Sequence, residues 1–147
     1  MIRMEDWKLL LIDQDNEARQ SLSAFLEDAG YGVLTVADGE SGIELCGEGS
    51  FQIIITEIDL PGIDGIEVLK FIKKTYPSTE VIVTSAYNEV EKTLKSFRLD
   101  AADFITKPIK DDALMAALER AKKRYNIQRK LQNYTDFLEE RWMDTSE

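Results

Sequence analysis

Five short apolar runs rich in β-branched residues recur along the chain, and between them lie stretches with helical periodicity. The runs are Trp7–Ile12, Gly32–Val36, Phe51–Thr56, Glu80–Thr84 and Asp103–Ile105. Little polar alternation breaks them, as expected of strands buried on both faces. Three consecutive isoleucines, Ile53, Ile54 and Ile55, mark the third as central. Ala18, Leu22, Phe25, Leu26 and Ala29 form one helical stripe that Gly30 closes. Ser41–Cys46 predicts a shorter helix. Ile66, Leu69, Ile72 and Lys73 predict a third that stops before Pro77, and Val90, Leu94, Phe97 and Arg98 a fourth. A fifth begins after Pro108. Such alternation implies a parallel sheet, right-handed crossovers and helices on both faces. Chemistry in such a sheet gathers at the carboxyl ends of the strands, here just after Ile12, Thr56, Thr84 and Ile105.

The fifth helical pattern is unlike the others. Residues 111–142 contain no Gly or Pro, and Leu114, Leu118, Ala121, Tyr125, Leu131, Tyr134, Leu138 and Trp142 recur at steps of three and four, slipping near Gln128. A helix of that length runs about 48 Å, whereas a 120-residue domain has a radius of gyration near 14 Å. The helix therefore overhangs its domain. Two readings of the overhang stand: a self-associating or signalling helix, or one folded back on its own domain. Within it, Arg120–Arg124 reads as a solvated basic face.

Charge and composition remove whole classes of function. The chain carries 28 Asp and Glu against 18 Lys and Arg, net −10, and no histidine. That balance argues against nucleic-acid binding, which needs a Lys/Arg excess. Without histidine there is no Ser-His-Asp triad, no Cys-His nucleophile, no His-ligated zinc and no phosphohistidine. The single cysteine, Cys46, excludes an intrachain disulfide and reads as a small apolar filler. No apolar run approaches a membrane-spanning length, and the charged start MIRMEDWK has no signal-peptide core. A cytoplasmic protein is expected. The acidity is local: residues 1–110 carry net −9 and residues 111–147 net −1.

The strand ends hold Asp13-Gln14-Asp15-Asn16, then Glu57-Ile58-Asp59-Leu60-Pro61-Gly62-Ile63-Asp64-Gly65, then Ser85-Ala86, then Thr106-Lys107-Pro108. Converging carboxylates repel unless a cation sits among them, and hard oxygen donors suit Mg²⁺. A lysine and a hydroxyl nearby are donors for phosphoryl oxygens. The glycine pattern of nucleotide-binding sheets is absent after the first strand, which weighs against a flavin or nucleotide binder.

Those four strand-end motifs, with Arg19 six residues past Asp13, resemble the receiver domains of bacterial response regulators, the CheY-like family, over roughly residues 7–123. The resemblance implies a flavodoxin-like α/β fold with strand order 2-1-3-4-5, helices on both faces and an extended C-terminal helix. It implies domain limits of 1–123 for the receiver and 124–147 for a helical extension. It implies phosphoryl transfer from a sensor histidine kinase to an acceptor ending the third strand, here Glu57. Mg²⁺ would lie against Asp13, Gln14 as direct ligand, and the carbonyl of Asp59. Ser85, in competition with Thr84, and Lys107 would contact the phosphate. Phe104 is either the aromatic switch position or a core ring. Pro61 and Gly65 shape the loop, and Lys107–Pro108 is expected to be a cis peptide.

Two positions depart from the pattern. Glu57 replaces the family's aspartate and is longer by one methylene, about 1.5 Å, enough to spoil near-attack geometry. Gln14 replaces an acidic ligand by a neutral amide, while Asp15 reads as a helix cap rather than a substitute. Mg²⁺ binding is therefore expected to be weak or absent. The expectation is a pseudo-receiver: an interaction module and not an enzyme, with Glu57 paired to Lys107. Expected partners are a histidine kinase or other signalling protein, an output domain, and a second copy through the C-terminal helix, with no nucleic acid and no membrane. The alternative is a small Mg²⁺-dependent phosphatase of haloacid-dehalogenase type using Asp13 and Asp15.

Overall fold

The computed structural model describes residues 7–86 and 90–145. Its elements run β1 (Lys8–Ile12), α1 (Asn16–Asp28), β2 (Gly32–Val36), α2 (Gly39–Glu48), β3 (Ile53–Glu57), α3 (Gly65–Thr75), β4 (Glu80–Ser85), α4 (Val90–Arg98), β5 (Asp103–Thr106) and α5 (Asp111–Thr145). The five strands form one sheet in the order β2-β1-β3-β4-β5, parallel at every pairing. This is the flavodoxin-like arrangement expected from the alternation.

Period-2 alternation within each strand divides the core. Leu9, Leu11, Ile53, Ile55 and Ile82 pack on one face with Leu26 of α1 and Leu114, Ala117, Leu118 and Ala121 of α5. Leu10, Ile12, Ile54, Val81 and Val83 pack on the other with Cys46 of α2 and Ile66, Val68, Leu69 and Ile72 of α3. Cys46 is thus the apolar filler expected, and burial pushes its thiol up to about 11. Three of the chain's 28 acidic residues cap helices. Asp15, Asp38 and Asp64 each precede a helix and accept a backbone N–H from its first turn. The two backbone and hydroxyl bonds from Ser41 hold the Asp38 carboxyl below its usual range.

Several boundaries move. β3 begins two residues later than the apolar run suggests, because Gln52 is spent on Lys8: its N–H donates to the Lys8 carbonyl and its side chain accepts from the Lys8 N–H. β4 reaches Ser85 rather than stopping at Thr84, since Ser85 still pairs with Thr106 of β5. The second helix spans ten residues, not six.

The basic cluster 120–124 differs from the solvated face its sequence suggests. Lys123 is exposed, but the face is not simply solvated. Arg124 bonds Glu80 at 2.7 Å, whose carboxylate is fully buried, and Asp100 at 2.6 Å. Arg120 pairs with Asp103 of β5, and the Lys122 ammonium lies 5.3 Å from the centre of the Tyr31 ring. These contacts staple α5 to both sides of its seat, and Trp7 meets Tyr125 edge-on at 5.4 Å. The helix continues without a break past Tyr125; Arg129 and Gln132 still border a cleft with residues 49–52 and 76–79, and residues 133–142 are exposed, so the chain is not folded back on its domain.

Candidate functional site

Each strand end delivers one part of a polar cluster. Asp13 follows β1 and is almost fully buried, 1% exposed in its side chain. Glu57 ends β3, and Lys107 follows β5. The Lys107 Nζ donates to Asp13 Oδ2 at 2.9 Å and to Glu57 Oε1 at 3.0 Å, so one ammonium bridges two carboxylates. The other oxygens are occupied too. Asp13 Oδ1 accepts from the Asp15 N–H at 2.8 Å, and Glu57 Oε2 from the Gln14 N–H at 3.2 Å. The Gln14 side-chain Nε2 donates to the carbonyl oxygen of Asp59 at 2.9 Å.

The electrostatics follow from burial against pairing. Burial pushes the Glu57 carboxyl up, the bonds from Lys107 and the Gln14 N–H pull it down, and the nearby Asp13 charge adds to the rise; the result lies above its ordinary value. Burial alone would lower Lys107, but its bonds to Asp13 and Glu57 outweigh that and hold the ammonium above its ordinary value.

Backbone packing fixes the loop after β3. Gly65 is buried and its N–H donates to the Ile58 carbonyl at 2.8 Å; a Cβ there would collide with the carbonyl oxygen of Glu57. Gly62 has φ +75°, a left-handed conformation that glycine adopts freely. The Lys107–Pro108 peptide is cis, as expected.

Of the residues singled out from the sequence, Asp13, Gln14, Glu57, Asp59 and Lys107 meet directly. Ser85 is buried at the neighbouring strand end, but its hydroxyl donates to the Ala86 carbonyl at 3.0 Å. Phe104 is half-buried on the α3 face of the sheet, its ring 6.4 Å from that of Phe97. Asp15 is spent as the cap of α1, which takes from the phosphatase reading the second of its two aspartates.

Three further side chains support the site. Lys92 of α4 pairs with Asp59 at 2.9 Å, Arg19 donates to the Asp13 carbonyl at 2.6 Å, and Glu40 accepts from the Ile63 N–H at 2.7 Å. Arg19 carried a spacing signal; Lys92 and Glu40 carried none, because their partners lie 33 and 23 residues away.

An acidic residue after β1, a carboxylate ending β3 and a lysine before a cis-proline after β5 occupy one end of a 2-1-3-4-5 sheet. Residues 9–119 match the response regulator receiver domain family. The chain belongs to that family. It is 32% identical to the transcriptional regulatory protein FixJ of Bradyrhizobium diazoefficiens over 113 residues, 77% of this chain and 55% of FixJ. Among solved structures it resembles NtrX from Brucella abortus, with TM-score 0.81 and 28% identity over 86% of this chain and 29% of that one. A receiver domain protein from Clostridium thermocellum superposes with TM-score 0.77 at 25% identity, over 85% of this chain and 98% of that one. The chain thus spans about half the length of FixJ. It is a receiver domain of the two-component response regulators.

Receiver domains typically bind Mg²⁺ at the acceptor site, and in this receiver the donors of that site are engaged within the chain. A Mg²⁺ site needs oxygen donors turned to a common point in octahedral geometry. Here the Asp59 carbonyl faces an N–H donor, and Asp13 and Glu57 face an ammonium. Among the described residues no group of three or more His, Cys, Asp or Glu is placed to hold a metal ion. Among those residues, too, no helix is long and apolar enough to cross a membrane.

Proposed function

We propose that this receiver is a signalling interaction module in which aspartyl phosphorylation is reduced or lost. Glu57 stands at the phosphoacceptor position, Asp13, Gln14 and the Asp59 carbonyl at the metal positions, Ser85 and Lys107 at the phosphate-contact positions, and Phe104 at the switch. Pro61, Gly65 and Pro108 set the loops. The observation that carries the reading is the Lys107 bridge between Asp13 and Glu57, closed on its other side by Gln14 on the Asp59 carbonyl.

The chemistry follows from charge count. Gln14 brings one negative charge fewer than an acidic residue, and Lys107 supplies the positive charge that the remaining carboxylates need. Two carboxylates against one ammonium leave the cluster at one net negative charge with its oxygens already engaged, so Mg²⁺ binds weakly or not at all. The Glu57 carboxylate projects one methylene further than aspartate would and meets the lysine that would otherwise hold a phosphoryl oxygen. A pocket filled in this way holds one state.

The receiver unit spans residues 1–123 and the helical extension 124–147. Its partners are a histidine kinase or another signalling protein, an output domain, and a second copy of the chain through the extension, in the cytoplasm. It is a module that binds rather than an enzyme that turns over. Incubation with phosphoramidate and Mg²⁺, followed by intact-mass measurement, tests the reading. An unchanged mass supports it, and gain of one phosphoryl group on Glu57 overturns it.

A further inference from the structure

The overhanging part of α5 exposes a row of large apolar side chains. Ile127, Leu131, Tyr134, Phe137 and Leu138 are each between 46% and 62% exposed. Ile127, Leu131, Tyr134 and Leu138 follow steps of four, three and four, the seam spacing of paired helices. At 3.6 residues per turn this seam lies about 120° around the helix from Leu114, Ala117, Leu118 and Ala121, which face the sheet. It is therefore not a continuation of the stripe that seats α5. It sits on the side of the helix from which Arg120 and Arg124 reach β5 and the turn before it, the open edge of the sheet. A second helix can lie along it clear of the stripe that faces the sheet.

Charge along the helix is polarised. Residues 120–130 carry six basic side chains and no acidic one, whereas residues 136–147 carry five acidic and one basic. Arg120, Lys122 and Arg124 are spent within the domain, which leaves Lys123, Arg129 and Lys130 exposed on the near half and Asp136, Glu139 and Glu140 exposed on the far half. A parallel, in-register pair would set each cluster beside its own copy. An antiparallel pair sets each beside its opposite, and like charges within about a Debye length, roughly 8–10 Å, decide against the first.

We propose that a second copy of this chain covers the seam in an antiparallel two-helix pair centred between Gln132 and Asn133. The proposal rests on the self-association named above and adds its orientation. In that register Leu131 lies opposite the partner's Tyr134, and Ile127 opposite the partner's Leu138. The four seam side chains expose roughly 400–450 Å² per helix, about 800–900 Å² for the pair, a small interface to which the opposed charges add. The two receiver domains then stand at opposite ends of the rod rather than side by side.

Mass and distance measurements on the full chain separate orientation from association. Sedimentation is expected to give a dimer that Leu131→Glu converts to a monomer. A monomer for the unaltered chain up to about 100 µM overturns both the self-association and its orientation. So does a dimer that persists in Leu131→Glu, since the seam would then not be the contact. For orientation, a spin label is placed at Lys123→Cys in a Cys46→Ala background. The antiparallel register sets residue 123 at the level of the partner's residue 142, so the labels should lie about 30 Å or more apart. A distance below about 20 Å would mean a parallel pair and would overturn the orientation while leaving the dimer standing.

Discussion

The side-chain amide of Gln14 donates to the backbone carbonyl of Asp59 across 45 residues of sequence, at 2.9 Å. A carboxylate at position 14 has no hydrogen to offer there. Gln14→Asp removes this closure and adds a third negative charge beside Asp13 and Glu57. The expected outcome is Mg²⁺ affinity at least tenfold tighter by calorimetric titration, with metal-free stability lower by about 1 kcal/mol from like-charge repulsion and the lost bond. Unchanged Mg²⁺ affinity would show that Gln14 is not what blocks the metal.

Lys107 bridges a carboxylate that is 1% exposed and another that is 12% exposed. Removing one partner leaves a buried charge uncompensated, which is costly. Because Lys107 itself is 28% exposed, Lys107→Met is expected to lose about 2 kcal/mol in urea unfolding at pH 7. A loss below about 0.5 kcal/mol would mean the bridge is only a surface pair.

The same bridge sets pH dependence. Burial leaves Glu57 above its ordinary value of 4.5, so the fold binds that proton more tightly than the unfolded chain does. Its contribution is full below about pH 4.5 and is lost as pH rises through the folded value. Stability of the protein relative to Glu57→Gln should therefore fall as pH rises above 4.5. Lys107 is also raised, from 10.5, and its contribution is full below that pH and lost above it. Alkaline unfolding should show this loss, and Lys107→Met should lack it.

Arg124 reaches a carboxylate with no solvent exposure, that of Glu80, whose other cation, the Lys73 ammonium, stands at 3.4 Å. Arg124→Met is expected to destabilise by about 2–3 kcal/mol in denaturant titration. A change within about 0.5 kcal/mol would return the basic cluster to the solvated face that its sequence suggests.

That cluster shows where legibility in the sequence ends. Strand and helix order was readable because periodicity is local: Gly32–Val36 is the strand that its own residues describe. Asp13, Glu57 and Lys107 were readable as a set because parallel topology sends strand ends to one place. The duty of Arg124 was not, since Glu80 and Asp100 lie 44 and 24 residues away and nothing at 120–124 marks them. Gln14 was readable as a weak metal ligand but not as a donor that closes the Asp59 carbonyl, because that depends on how the β3–α3 loop folds. The direction of the Ser85 hydroxyl, toward Ala86, is likewise set by the end of β4 rather than by residue type.

The most direct measurement is intact mass after phosphoramidate and Mg²⁺ for the protein and for the double variant Gln14→Asp/Glu57→Asp. The account predicts no phosphoryl gain on the protein and gain of one phosphoryl group on the variant. Phosphorylation of the unaltered protein at Glu57, or a folded double variant that stays unmodified, would contradict the claim that these two residues set its chemistry.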